Sequence, residues 1–168
     1  SGLYKGRKLK NFKNDKIRPT SSRVKKSIMD TLMPLEGKVV LDLFSGVGNL
    51  GIEALSRGAK FVSFVEKDFK VVKLLKSNLD ILDINNGFEV IVSDVNRFFK
   101  TSQKKYDIII ADPPYYKFKF LELIPVVENI LLKNGVFCYE SEKQNIDTTL
   151  DIKIKIFGNT QVIFWSKK

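Results

Sequence analysis

Residues 38–51 read "KVVLDLFSGVGNLG", and the rest of the chain is interpreted from them. Val39, Val40, Leu41 and Leu43 form a short apolar run with β-branched residues, the pattern of a buried strand. Gly46, Gly48 and Gly51 follow in G-x-G-x-x-G spacing, and "GNLGIEALSRG" (48–58) reads as a helix closed by Gly58. Glycines between a strand and a helix permit a tight turn and close backbone approach to a ligand beside a helix N-terminus. Alone, this spacing also suits a plain strand–helix turn, so its neighbours must decide.

Downstream, strand and helix alternate. "KFVSFVE" (60–66) is a strand, and "DFKVVKLLKSNLDIL" (68–82) a helix capped by Asp68. "FEVIVSD" (88–94) is a strand, followed by a short helix to about Lys100. "YDIIIAD" (106–112) is a strand, and "FKFLELIPVVENILLKN" (118–134) a helix bent at Pro125. "GVFCYES" (135–141) is a strand, and "IKIKIFGN" with "TQVIFWSK" (152–167) a hairpin turning at Gly158-Asn159. Upstream, "TSSRVKKSIMDTL" (20–32) spaces Val24, Ile28, Met29 and Leu32 at helical intervals, with Thr20 or Ser21 as cap and Pro34 as stop. Repeated βαβ units predict one α/β domain over residues 1–168. A mostly parallel sheet carries helices on both faces, and the closing hairpin adds an antiparallel edge. Residues 1–19 form a basic arm or short hairpin, and residues 20–168 the Rossmann-like core.

Several acids fall at strand ends. Glu66 lies twenty residues after Gly46, where a carboxylate can accept both hydroxyls of a ribose. NAD and S-adenosylmethionine both satisfy this much. Asp42, four residues before Gly46, separates them: an acid there suits an ammonium group and repels a pyrophosphate. A loop cap is the competing role for Asp42. Asp94 is placed to accept from an adenine amino group, and a helix N-cap explains it almost as well.

The fourth core strand runs directly into Asp112, Pro113, Pro114 and Tyr115. The prolines fix the backbone and leave carbonyls to be presented, and Tyr115 offers a flat face for a base. Asp112 and the Pro113 carbonyl would accept the two N–H bonds of an exocyclic –NH2. That grip favours a more tetrahedral nitrogen whose lone pair can attack a sulfonium methyl, by positioning and electrostatics alone. Phe118 and Phe120 follow the turn, with a flap over the base and core packing both open. Cys138 sits in an apolar strand and reads as a core thiol, and Trp165 as packing in the hairpin.

The chain has no histidine and one cysteine, which excludes His-dependent triads, a disulfide within the chain and Cys/His metal clusters; no metal is expected. No apolar run approaches the roughly 20 residues of a membrane span, so a cytoplasmic protein without membrane contact is expected. The net charge is +10, and residues 1–26 hold ten Lys/Arg against the single acid Asp15. So polarised a segment favours a polyanion, most plausibly nucleic acid, with Lys5, Arg7, Lys8, Lys10 and Arg23 as contacts. For Arg23 a solvated helix charge is the even alternative.

Five stretches carry a family likeness: "YKGRKLK" (4–10), "IRPTSSRVKKSIMDTL" (17–32), "LDLFSGVGNLGIEALSRGA" (41–59), "DPPY" (112–115) and "GNTQVIFW" (158–165). The chain resembles a class I methyltransferase acting on an exocyclic amine, and more narrowly the RsmD family of bacterial 16S rRNA guanine-N2 methyltransferases. The resemblance implies a seven-stranded class I methyltransferase fold and S-adenosylmethionine held by Asp42, Phe44, Gly46, Gly48, Glu66 and Asp94. It implies that Arg18, Pro19 and Thr20 pack near the methionine end, and that Asp112, Pro113, Pro114 and Tyr115 hold the base. Its substrate would be 16S rRNA in the small ribosomal subunit or a late precursor, met by a monomer. Lys25-Lys26 stands where Arg-Glu is more usual, which makes that face more basic. Asp-Pro-Pro-Tyr is shared with DNA adenine-N6 methyltransferases, which remain an alternative, as does a non-catalytic nucleic-acid-binding module.

Overall fold

The computed structural model describes residues 3, 9–10, 21–114 and 117–168. Helix α1 (Ser22–Leu32) starts at Ser21, whose side chain accepts from the Val24 amide, and buries Val24, Ile28, Met29 and Leu32 as their spacing predicts. The succeeding elements are β1 (Val39–Leu43), α2 (Asn49–Ser56), β2 (Phe61–Glu66), α3 (Phe69–Ile81), β3 (Phe88–Val92) and α4 (Val95–Thr101). Then come β4 (Tyr106–Ala111), α5 (Phe120–Ile130), β5 (Leu131–Glu142), β6 (Ile152–Phe157) and β7 (Thr160–Ser166). Among the described residues, no helix is long and apolar enough to cross a membrane.

All seven strands form one sheet in the order β3-β2-β1-β4-β5-β7-β6. The first five run parallel, and β7 inserts antiparallel between β5 and β6. The central strands of the sheet are buried on both faces. On one side Val40, Phe64 and Ile110 pack with Ile28 of α1, Ile52 of α2 and Leu75 and Leu79 of α3. On the other, Leu41, Leu43, Ile109 and Phe137 pack with Phe98 of α4 and Phe120, Leu123 and Val127 of α5. The alternation of side chains along each strand feeds these two cores.

Two expectations change in detail. Helix α5 runs through Pro125 but stops at Ile130, and residues 131–134, expected in the helix, already belong to β5. Asn134 adopts a left-handed φ of 61°, and the register against β4 shifts there before the regular ladder from Val136. Lysines cap the helix end: Lys105 donates to the Asn129 carbonyl, and Lys167 to those of Glu128 at 2.6 Å and Leu131 at 3.1 Å. The closing hairpin turns at Gly158-Asn159 as read, but its second strand lies inside the sheet and its first strand forms the edge.

Strand order reverses between β1 and β4. Leu43 pairs with Ala111, so the next residues, Phe44 and Asp112, leave the sheet side by side at its carboxyl edge. This is the switch point at which open α/β sheets form their ligand crevice.

Candidate active site

The glycine loop is anchored on three sides. Ser45 donates its amide to the Val65 carbonyl at 3.0 Å, and the Gly46 amide donates to Glu66 Oε2 at 3.1 Å. Asn78 of α3 donates to the Val47 carbonyl at 3.0 Å. Gly48 has φ 90°, and a Cβ there would lie 2.3 Å from Leu75 Cδ1. At Gly51 a Cβ would meet Phe64 Cε1 at 2.3 Å and Asp42 Oδ2 at 2.9 Å. Glycine is therefore demanded at 48 by backbone conformation and at 51 by close approach of α2 to the sheet.

The acids at the strand ends all have backbone partners. Asp42 is 1% exposed, and its Oδ2 accepts from the Gly51 amide at 2.8 Å. Burial pushes its carboxyl up to about 7; the Gly51 bond opposes this, and the charges of Asp112 and Glu66 add to it. Asp42 thus shapes the loop from beneath. Glu66 takes Gly46 N–H on Oε2 and Asp68 N–H on Oε1 at 2.9 Å. A carboxylate has about four lone-pair sites, so acceptor capacity remains on both oxygens. Asp94 caps α4, with Oδ1 accepting from Asn96 N at 2.9 Å, and its side chain is exposed.

Asp112 is half-buried directly after Ala111. Its charge contributes to raising the Asp42 carboxyl on β1 and the Cys138 thiol and Tyr139 hydroxyl on β5. Pro113 is buried and Pro114 exposed, and the Pro114 carbonyl accepts from Lys117 N at 3.4 Å. Tyr115 lies outside the described residues, as do Lys5, Arg7, Lys8, Arg18, Pro19 and Thr20. Lys10 is exposed on α3 with Nζ 3.1 Å from Ser77 Oγ, and Arg23 is exposed on α1.

Phe118 and Phe120 part ways. Phe120 is 1% exposed and stacks on Phe137 with centroids 5.7 Å apart, which makes it core. Phe118 packs on Phe44 at 4.8 Å, and its carbonyl accepts from Tyr139 Oη at 2.7 Å. Phe44 itself holds φ 59°, unusual outside glycine. The pair fastens the glycine loop to the segment that follows Asp112. Cys138 is fully buried, its thiol pushed well up by burial, and Trp165 is buried in the core of the α5 face. Sequence reasoning missed Asn78 and the tie made by Phe118. The signal for Asn78 was available: an amide at helical spacing within the apolar stripe Val71, Leu75, Leu79.

The cradle fits a class I cofactor on its own terms. Its wall has no room for a Cβ at Gly48 or Gly51, and a carboxylate with remaining acceptor capacity stands at the end of β2.

Comparison with known proteins agrees with this architecture. The model of the family described as "Conserved hypothetical protein 95" matches residues 1–166. The chain is 33% identical to YlbH of Bacillus subtilis (strain 168), covering 100% of this chain and 97% of that one. It is 39% identical to the "Ribosomal RNA small subunit methyltransferase D" of Haemophilus influenzae, covering 85% of this chain and 77% of that one. The solved structure of yhhF from Escherichia coli superposes with a TM-score of 0.87 at 28% identity, covering 100% of this chain and 96% of that chain. A parallel sheet closed by an inserted antiparallel strand, a glycine loop beside an Asp-Pro-Pro turn and a family match along nearly its whole length make this chain a member of the RsmD-like family of class I methyltransferases.

Proposed function

We propose that this protein methylates the exocyclic N2 amine of a guanine in 16S rRNA within the small ribosomal subunit or its late precursor, using S-adenosylmethionine. The observation that carries the reading is the Leu43–Ala111 register, from which the glycine loop and the Asp112 turn leave the sheet as neighbours. Relatives named as small-subunit rRNA methyltransferases support the substrate class, and the excess of basic residues in 1–26 suits a polyanion.

Gly46, Gly48 and the Phe44 backbone would line the cofactor, Glu66 would accept from its ribose, and Asp94 would stand by its adenine. Asp42 acts from below, holding the Gly51 amide and so the turn into α2. Bound there, S-adenosylmethionine supplies an electrophilic methyl on a sulfonium. The base-side residues do the rest. Asp112 and the Pro113 carbonyl accept the two amine hydrogens, keep the nitrogen's lone pair off the ring, and aim it into the crevice. Tyr115 stacks on the purine, and Asp112 is placed to receive the proton the methylated amine sheds. Delivery requires an unpaired or flipped base, since an edge amine cannot enter a rigid pocket from within a duplex.

The test is nucleoside mass spectrometry on small subunits from a strain lacking this protein, before and after incubation with it and labelled cofactor. New N2-methylguanosine in 16S rRNA is expected. Label on naked duplex DNA and none on rRNA would transfer the reading to DNA adenine.

A further inference from the structure

One buried side chain joins the basic arm to the glycine loop. Asn78 of α3 is 0% exposed and sits among Val71, Val72, Leu75 and Leu79, a stripe otherwise apolar on its buried face. Its Oδ1 accepts from the Lys10 amide at 2.7 Å. Its Nδ2 donates to the Lys10 carbonyl at 3.1 Å and to the Val47 carbonyl at 3.0 Å. Both amide hydrogens are thus committed, one to the arm and one to the loop, with no other partner on that stripe. Leu75, one turn earlier, closes beneath Gly48, the residue after Val47. The arm is anchored around this point as well: Lys10 Nζ reaches Ser77 Oγ at 3.1 Å, Leu9 packs on the core, and the Leu3 amide donates to the Ser56 carbonyl at the end of α2.

We infer that Asn78 is a positioning residue through which the Leu9–Lys10 segment holds the cofactor loop, so that the seating of Lys10 on α3 sets the loop's affinity for the cofactor. The reason is one of satisfaction. A buried amide stripped of a partner carries a desolvation penalty, and the two arm bonds orient the Asn78 side chain so that its remaining N–H meets Val47. When the Lys10 backbone leaves, Asn78 must seek other partners or admit water, and the Val47 carbonyl loses a fixed donor. The arm is then part of the cofactor site's support in addition to any contact it makes with RNA. This deepens the cofactor reading and rests on the glycine loop being that site.

Two variants separate coupling from simple fastening. Asn78→Asp keeps the shape but replaces both donors with an acceptor facing two carbonyls. Lys10→Pro removes the amide donated to Oδ1, and with it the exposed Nζ contact to Ser77, while substituting no residue of α3 or the loop. Adenosylhomocysteine affinity by calorimetry, amide hydrogen exchange of residues 44–51 in the ligand-free protein, and the melting temperature are read together. Asn78→Asp is expected to weaken binding about tenfold, and Lys10→Pro about threefold, each with faster loop exchange. For Lys10→Pro the melting temperature should fall by only a few degrees, the cost of one buried acceptor left without its donor. If Lys10→Pro leaves both affinity and loop exchange at wild-type values, the coupling is wrong, and Asn78 merely fastens helix to loop. The exchange measurement needs no cofactor, so failure of the wild type to bind adenosylhomocysteine would overturn the cofactor reading while the arm–loop coupling is still judged.

Discussion

The two sides of the switch point are rigidified by different means. On the β1–β2–β3 side, acids hold backbone amides: Asp42 holds Gly51, Glu66 holds Gly46 and Asp68, and Asp94 holds Asn96. On the β4–β5 side, covalent stiffness and aromatic packing take over, with Pro113 and Pro114 after Asp112 and Phe118 pinned by Tyr139. On the proposed reading the cofactor half is a cradle of backbone groups, and the substrate half would concentrate its chemistry in few atoms. Damage to the first should appear in stability and cofactor binding together, and loss of the base-gripping atoms of the second in methyl transfer alone.

Asp112→Ala offers the sharpest break. Removing one of two acceptors for the amine should lower methyl transfer to small subunits by about 10²–10³-fold, as loss of a preorganised charge-stabilising group does elsewhere. Adenosylhomocysteine affinity should stay within about threefold of wild type, since the glycine loop is anchored by Asp42, Val65, Glu66 and Asn78. Retention of full activity, or an equal loss of cofactor binding, would erase the division of labour. Gly51→Ala probes the opposite half. The added Cβ would meet the buried Phe64 ring at 2.3 Å, and the helix must shift to admit it. A loss of about 1–3 kcal/mol in denaturant melts is expected, with cofactor affinity falling alongside. A Gly51→Ala protein of wild-type stability would mean that α2 is not seated as tightly as the cradle requires.

Asp42 tests the cradle electrostatically. An unfolded aspartate releases its proton near pH 4, whereas the folded Asp42 keeps it to about 7. The folded state therefore binds more protons across that interval, and stability present below pH 4 is lost as the pH rises to 7. Asp42→Asn keeps an acceptor for Gly51 and removes the titration. Its stability relative to wild type should improve between pH 5 and pH 8, by at most about 3 kcal/mol, since only the two units from 5 to 7 count, at roughly 1.4 kcal/mol each. An identical gap at both pH values would show that Asp42 does not titrate in that range.

The two halves also differed in how far they could be read in advance. The cradle was legible because its determinants are local: a strand, three glycines, and acids at fixed offsets that also cap helices, as Asp68 and Asp94 do. What escaped depends on contacts between distant segments. The apolar "ILL" at 130–132 suits helix and strand equally, and only pairing with Tyr106 and the left-handed Asn134 assigns Leu131 and Leu132 to β5. The insertion of β7 between β5 and β6 is a choice of partner that hairpin chemistry at Gly158-Asn159 does not encode. Asn78 partners Lys10, 68 residues away, so its apolar stripe announced an anomaly without naming what resolved it.

The smallest expected effect tests whether the halves are joined at all. Phe118 is the visible link, its ring 4.8 Å from that of Phe44 and its carbonyl held by Tyr139. Phe44 sits at φ 59°, a conformation that costs a residue with a side chain and needs surrounding contacts to persist. An aromatic pair of this kind contributes roughly 0.5–1.5 kcal/mol beyond its buried area. Phe118→Ala should therefore weaken adenosylhomocysteine binding about fivefold, although Phe118 belongs to the substrate side of the crevice. Phe44→Ala should do the same, and the double variant should be little worse than either single one, because each removes the same contact. Strict additivity would mean that the two rings act independently, and that the loop and the turn are neighbours without being coupled.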